Sequence, residues 1–137
     1  LERRAAAEGE ARALAVAPRA PVCAYHGLSL ADGQPIAVFE SVFPLERLPG
    51  LDAVLAEEPS VTRALARLGV ADFTRASTRV TAVAASPAQA LHLHLPEGAP
   101  LLRTTGLNVD GQGRAVEYGR TWFAGDRVAL TMGDDSG

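Results

Sequence analysis

Two β-prone runs dominate the C-terminal third of the chain: Leu101 to Val109, apolar and β-branched, and Ala115 to Phe123, with Asp-Gly-Gln-Gly between them. A short Gly/Asp cluster between such runs predicts an antiparallel hairpin, because both residue types tolerate the positive φ of a tight reversal. Side chains alternate along a strand, so Glu117, Gly119, Thr121 and Phe123 share one face, and Tyr118, Arg120 and Trp122 the other. A carboxylate on a face with Gly119 and Phe123 calls for a polar partner there.

Upstream, Pro21 to Ala31 and Ile36 to Phe43 predict two more strands around an Asp32-Gly33 turn. The near-continuous apolar character of the second suggests burial on both faces, and Glu40 interrupts it. Phe73 to Ala85 predicts a strand with Arg75, Ser77, Arg79 and Thr81 on one face. Arg127 to Met132 predicts a closing strand, and Gly133 to Gly137 a frayed acidic tail. Helical patterns cover Leu1 to Val16, ended by Pro18, and Leu51 to Ala56. Val61 to Leu68 places Val61, Leu65 and Leu68 on one face, with Ser60 as N-cap and Gly69 as terminator. A short helix from Ala88 to about Leu93 follows Ser86-Pro87. No internal repeat is visible. The order of helix, hairpin, helices, strand, helix, hairpin and strand predicts an α+β single domain with an antiparallel sheet flanked by helices.

Composition narrows the class. The 137 residues are 47% apolar and 21% charged, which suits a globular domain with a real core. All thirteen basic residues are arginine, the net charge is −3, and no basic stripe marks a nucleic-acid surface. The lone Cys23 forms no internal disulfide, favours a reducing compartment and reads as an ordinary buried small residue. No run is long enough to span a bilayer, so no membrane partner is expected. Starting at Leu1, the chain reads as a domain cut from a longer protein. His92 and His94 stand two apart, share no helix face and have no acidic partner nearby, so no metal or other cofactor is expected. His26 reads as structural, and Tyr118 and Trp122 as core or dimer contacts.

The ordered set of segments resembles a known family. ADGQPIAVFESVFP, a Ser-led helix, a strand with a short helix, and then PLL…DGQGRAVEY…DRV are similar to the UTRA domain, the effector-binding half of GntR-type transcription regulators of the HutC subfamily. FTRASTRVTA and EYGRTWFAGDRVAL are most similar to the PhnF branch, whose regulators accompany phosphonate-uptake operons. The resemblance covers Glu8 to Met132. It implies a chorismate-lyase-like fold over residues 1–137, a homodimer, a cytoplasmic setting and a small-molecule effector. It also implies that DNA is read only by an N-terminal winged helix-turn-helix absent from this chain.

Relatives that sense phosphorylated sugars imply the site: Glu40, Ser60, Thr62 and Glu117, with Phe123 on the Glu117 face. An anion at the start of a helix meets free N–H groups and the positive end of the dipole, while carboxylates accept from ligand hydroxyls or amines. Those relatives carry two arginines where Leu28 and Leu30 stand here. Arg75 and Arg79, expected on one strand face, are the replacement candidates. No catalytic residue is assigned. The implied function is a sensor, a phosphate- or phosphonate-containing metabolite being the plausible effector. The alternatives are an enzyme resembling chorismate lyase and a dimerisation module with a degenerate pocket.

Overall fold

The computed structural model describes residues 1–133. Period-two alternation in six segments builds one fully antiparallel sheet. In chain order the elements are β1 (Glu2–Ala5), α1 (Glu8–Leu14), β2 (Pro21–Ala31), β3 (Gln34–Pro44), α2 (Leu51–Glu57) and α3 (Val61–Arg67). They continue with β4 (Thr74–Ala84), α4 (Pro87–Leu93), β5 (Pro100–Val109) and β6 (Ala115–Ala124). Across the sheet the order is β1-β2-β3-β6-β5-β4. Helices α2 and α3 cover one face, packing on Cys23 and Phe43. Helices α1 and α4 cover the other, on Val22 and Val42 and on Val83 and Leu101 respectively. The expected α+β domain is what is found.

Local signals place most elements. Asp32 (φ 52°) and Gly33 (φ 76°) make the tight β2–β3 turn. The Ser60 hydroxyl accepts the Arg63 N–H at 3.3 Å, and Gly69 (φ 85°) follows the end of α3. Ser86 and Gln89 exchange capping bonds at the start of α4, with Pro87 in its first turn.

Three expectations need correction. The N-terminal segment is not one helix: Glu2–Ala5 is a strand paired from Glu2↔Ala24 to Ala5↔Pro21, and helix starts only at Glu8. Pairing with the β2 edge outweighs the weak helical preference of Ala, Glu and Arg. That helix ends at Leu14, with Ala15 left-handed at φ 53°, before Pro18 is reached. Arg127–Met132 is not a strand, because both edges of β6 are already taken by β3 and β5. The chain instead turns, with the N–H groups of Arg127 and Val128 both on the Ala124 carbonyl. Residues 134–137 of the expected tail lie outside the described residues.

The third correction is that the fold does repeat. β1-α1-β2-β3 and β4-α4-β5-β6 are two copies of one unit, and the sheet order reads the same from either edge. Ala6 N–H bonds Ala20 O at 2.8 Å, as Ala85 N–H bonds Ala99 O at 2.8 Å. Ala11, Leu14 and Ala20 correspond to Ala90, Leu93 and Ala99; the first five of these are buried and Ala99 is partly so. Arg47 donates to the carbonyls of Leu14, Ala15 and Ala115, each at 2.7 Å. Arg127 does the same for Leu93, His94 and Pro35 at 2.7, 3.2 and 2.8 Å. Each arginine therefore satisfies the free carbonyls at the end of its own unit's helix and holds the third strand of the other unit. The approximate twofold axis passes through the Glu40↔Arg120 pair, where β3 meets β6.

Candidate functional site

Strand register and one irregularity build a polar cluster on the α2/α3 face. Uninterrupted β5–β6 pairing from Leu101↔Ala124 onward sets Asn108 opposite Glu117. A bulge at Ala76 brings Arg75 opposite Asn108; without it, alternation would send Arg75 to the face away from Glu117. Four side chains then form a relay. Arg75 Nε donates to Asn108 Oδ1 at 2.7 Å, and Asn108 Nδ2 donates to Glu117 Oε1 at 3.0 Å. The Ser41 hydroxyl donates to Glu117 Oε2 at 2.7 Å. Ser41 and Asn108 are buried and Glu117 is half-buried. Two donors hold the carboxylate in place while leaving it lone pairs for a ligand hydroxyl or amine.

Beside the relay Gly106 and Gly119 are direct partners across β5–β6, so neither strand puts a side chain there. The Arg75 guanidinium lies over Gly106, where an added Cβ would collide with it. In the first unit the equivalent pair is Gly27 and Phe39, and the Phe39 ring fills the space that a Cβ on Gly27 would need. The same place is thus filled by an aromatic ring in one unit and by a guanidinium in the other. Phe123 and Thr121 continue the same face along β6. The start of α3 lies on this side too: Tyr25, stacked near Phe39 with ring centres 6.0 Å apart, donates its hydroxyl to Pro59 O next to Ser60. Thr62 is exposed in the first turn of α3.

The expected convergence of Glu40 with Glu117 does not occur. Ser41 shares the face of Glu117, so its neighbour Glu40 points to the α1/α4 face. There Glu40 pairs with Arg120, lies 3.8 Å from Arg4 and sits 3.5 Å from His26. Glu10 of α1, 4% exposed, completes the network: Arg4 binds both its oxygens at 2.6 and 2.9 Å, and Arg120 lies at 3.6 Å. The Arg4 hydrogen bond holds the Glu10 carboxyl below its usual range; burial opposes this, and the Ala7 N–H adds to it. Tyr118 and Trp122 flank the Arg120 guanidinium at 5.9 and 5.6 Å.

Arg75 and Arg79 also part company. The Ala76 bulge puts Arg75 on the Glu117 face and leaves Arg79 with Ser77 and Thr81 on the opposite one. Leu28 lies on the α1/α4 face, 45% exposed. The structure thus brings Glu117, Arg75 and Phe123 to one side of the sheet, with Ser60 and Thr62 on the helix covering that side. It removes Glu40 and Arg79. Sequence reasoning missed Ser41 and Asn108. A serine and an asparagine within strands were the available signal, but their partnership depends on which residues of β3 and β5 lie beside Glu117 across the sheet. Among the described residues no group of three His, Cys, Asp or Glu side chains could hold a metal ion.

Comparison with known proteins fits this architecture. Residues 1–129 match the family described as the UTRA domain. An HTH-type transcriptional regulator of Rhizobium meliloti is 40% identical over 127 residues, covering 92% of this chain and 52% of the regulator. The chain therefore spans about half the length of that curated relative. The C-terminal domain of Yurk from Bacillus subtilis superposes with a TM-score of 0.90 at 19% identity, over 97% of this chain and 92% of that one. The effector domain of PhnF from Mycobacterium smegmatis superposes with a TM-score of 0.86 at 25% identity, over 95% of this chain and 80% of that one.

Proposed function

The chain belongs to the UTRA domain family, and from that premise we propose that it is the effector-binding domain of a GntR-type transcriptional regulator. Within the family we place it in the HutC subfamily, near the PhnF branch. The observation that carries the effector reading is the Arg75–Asn108–Glu117–Ser41 relay beside the Gly106–Gly119 pair, which holds a carboxylate in place with lone pairs to spare. A fixed carboxylate beside a guanidinium suits a small metabolite with a hydroxyl or amine at one end and a phosphate or phosphonate at the other. Ser60 and Thr62 supply hydroxyls from the helix above.

In the whole regulator, a homodimer of such domains would carry N-terminal winged helix-turn-helix heads. Effector binding would favour one arrangement of the pair, and so one spacing of the heads on DNA. Such a regulator works in the cytoplasm; among the described residues no helix is long and apolar enough to cross a membrane. This is a binding function with no bond-making step, so chorismate incubated with the domain should release no pyruvate.

A thermal-shift screen against phosphonates, phosphate and sugar phosphates tests the reading. A ligand at a hundredfold its dissociation constant stabilises by about 2.7 kcal/mol. Glu117→Gln and Ser60→Ala should each abolish the shift while leaving the free protein folded. A shift that survives both places the effector elsewhere.

A further inference from the structure

The α1/α4 face carries two concavities, one on each side of the Glu40–Arg120 pair, and the internal repeat relates them. One, of about 430 Å³, is lined by His26, Glu40, and Gln89 and His92 of α4. The other, of about 420 Å³, is lined by Ala13 of α1 and by Ser77, Arg79, Arg103, Thr105 and Arg120. Thr105 stands where His26 does in the other unit, Arg120 where Glu40 does, and Ala13 where His92 does. The two spaces match in size and oppose in charge.

The basic concavity is short of negative charge. Arg79, Thr105 and Arg120 form one row across β4, β5 and β6, and Arg103 lies one pleat along β5 on the same face. Arg120 has Glu40 and Glu10 as partners, whereas among the described residues Arg79 and Arg103 make no ion pair. The Nε atoms of Arg103 and Arg120 are buried with no hydrogen-bond partner. A buried N–H left unpaired costs free energy, and so do like charges held side by side; a bound anion offsets both.

We propose that this concavity binds a small oxyanion, the phosphate, phosphonate or carboxylate group of a metabolite. Arg79, Arg103 and Arg120 hold it, and the hydroxyls of Ser77 and Thr105 serve as further donors. The volume suits a small-molecule site. Glu40 makes the matching space in the first unit repel the same ligand. The site lies on the sheet face opposite the Glu117 relay and stands independently of it.

Isotope-labelled protein titrated with inorganic phosphate, methylphosphonate or malonate, each against chloride of equal ionic strength, tests the proposal. The Arg103 and Arg120 Nε–H resonances should move saturably with at least one oxyanion and not with chloride; the tightest binder identifies the head group. Arg103→Gln should weaken that binding about tenfold or more, the weight of one charge-assisted pair, and Glu117→Gln should leave it unchanged. The proposal is overturned if no oxyanion moves either resonance in the unaltered protein beyond the chloride control. It is equally overturned if Arg103→Gln binds as tightly, or if Glu117→Gln alone abolishes the response, which would put the anion at the Glu117 relay.

Discussion

The first unit of the sheet, β1-β2-β3 with α1, and the second, β4-β5-β6 with α4, share a backbone and differ in what stands on it. Both helices run seven residues and end in a left-handed residue, Ala15 or His94, under an arginine clamp. At the third helical position Glu10 reaches back to the Ala7 N–H at 2.8 Å, and Gln89 reaches back to the Ser86 N–H at 3.0 Å. The shared parts satisfy backbone groups. The unshared parts carry the chemistry: Phe39 against Gly119, Glu40 against Arg120, His26 against Thr105. Where the first unit carries a phenyl ring and a carboxylate, the second carries guanidinium groups. A duplicated frame has thus kept its hydrogen-bonding skeleton while its two exposed surfaces diverged.

That comparison can be broken at several points. Removing a clamp has the largest expected effect: Arg47→Ala and Arg127→Ala should each cost about 3 kcal/mol in chemical denaturation, since each leaves three carbonyls without a charged donor. Arg47→Ala should cost the more, its contacts being uniformly short. Equal and negligible losses would dismiss the clamps as surface decoration.

Glu10→Gln turns the first helix start into a copy of the second. It should cost about 2 kcal/mol at neutral pH, discounted from a fully buried pair because Arg4 keeps 26% of its side chain exposed. The same variant reads pH. The carboxyl titrates lower in the folded than in the unfolded chain, so its stabilisation is complete above the usual value of 4.5 and drains away as pH falls through the lowered folded value. Denaturation midpoints of the two proteins should therefore converge in acid; a constant gap across that range would show that the charge is irrelevant.

Gly119→Phe copies the first unit's plug into the second. Stability should fall by about 1–2 kcal/mol, because the Arg75 guanidinium must leave its seat over Gly106. Effector-dependent thermal shift should vanish, and persistence of that shift would mean the Glu117 relay is not the binding place. The smallest effect is a gain: Ala7→Ser gives the first helix the hydroxyl cap that Ser86 gives the second, for about 0.5–1 kcal/mol of added stability in the same denaturation assay.

Much of the fold was legible from local chemistry. Alternation, the Asp32-Gly33 turn, the Ser60 and Ser86 caps and the C-terminal hairpin are decided within a few residues of one another, so pattern alone places them. It also assigned Glu117, Gly119, Thr121 and Phe123 to one face, as the structure has them. Arg75 was misplaced for a different reason: one inserted residue at Ala76 turns it to the face opposite Arg79, Ser77 and Thr81. Glu40 was joined to Glu117 only by the family resemblance, and plain alternation from Ser41 sends it to the other face. The repeat stayed hidden because two units need share only backbone bonds and a few small or apolar positions, such as Ala6 with Ala85 and Pro21 with Pro100, which no residue-by-residue reading distinguishes from chance.

The sequence by itself determined most of the elements, their caps and turns, and the family to which the chain belongs, whereas β1 and the end of the last strand were decided by strand pairing. Only the tertiary structure decided that Glu117 and Glu40 face apart, that Ser41 and Asn108 hold the first of these, and that three arginines share a concavity. Turns and caps are fixed by neighbours along the chain, whereas a site is fixed by register between strands distant in sequence, and register is settled only when the whole sheet closes.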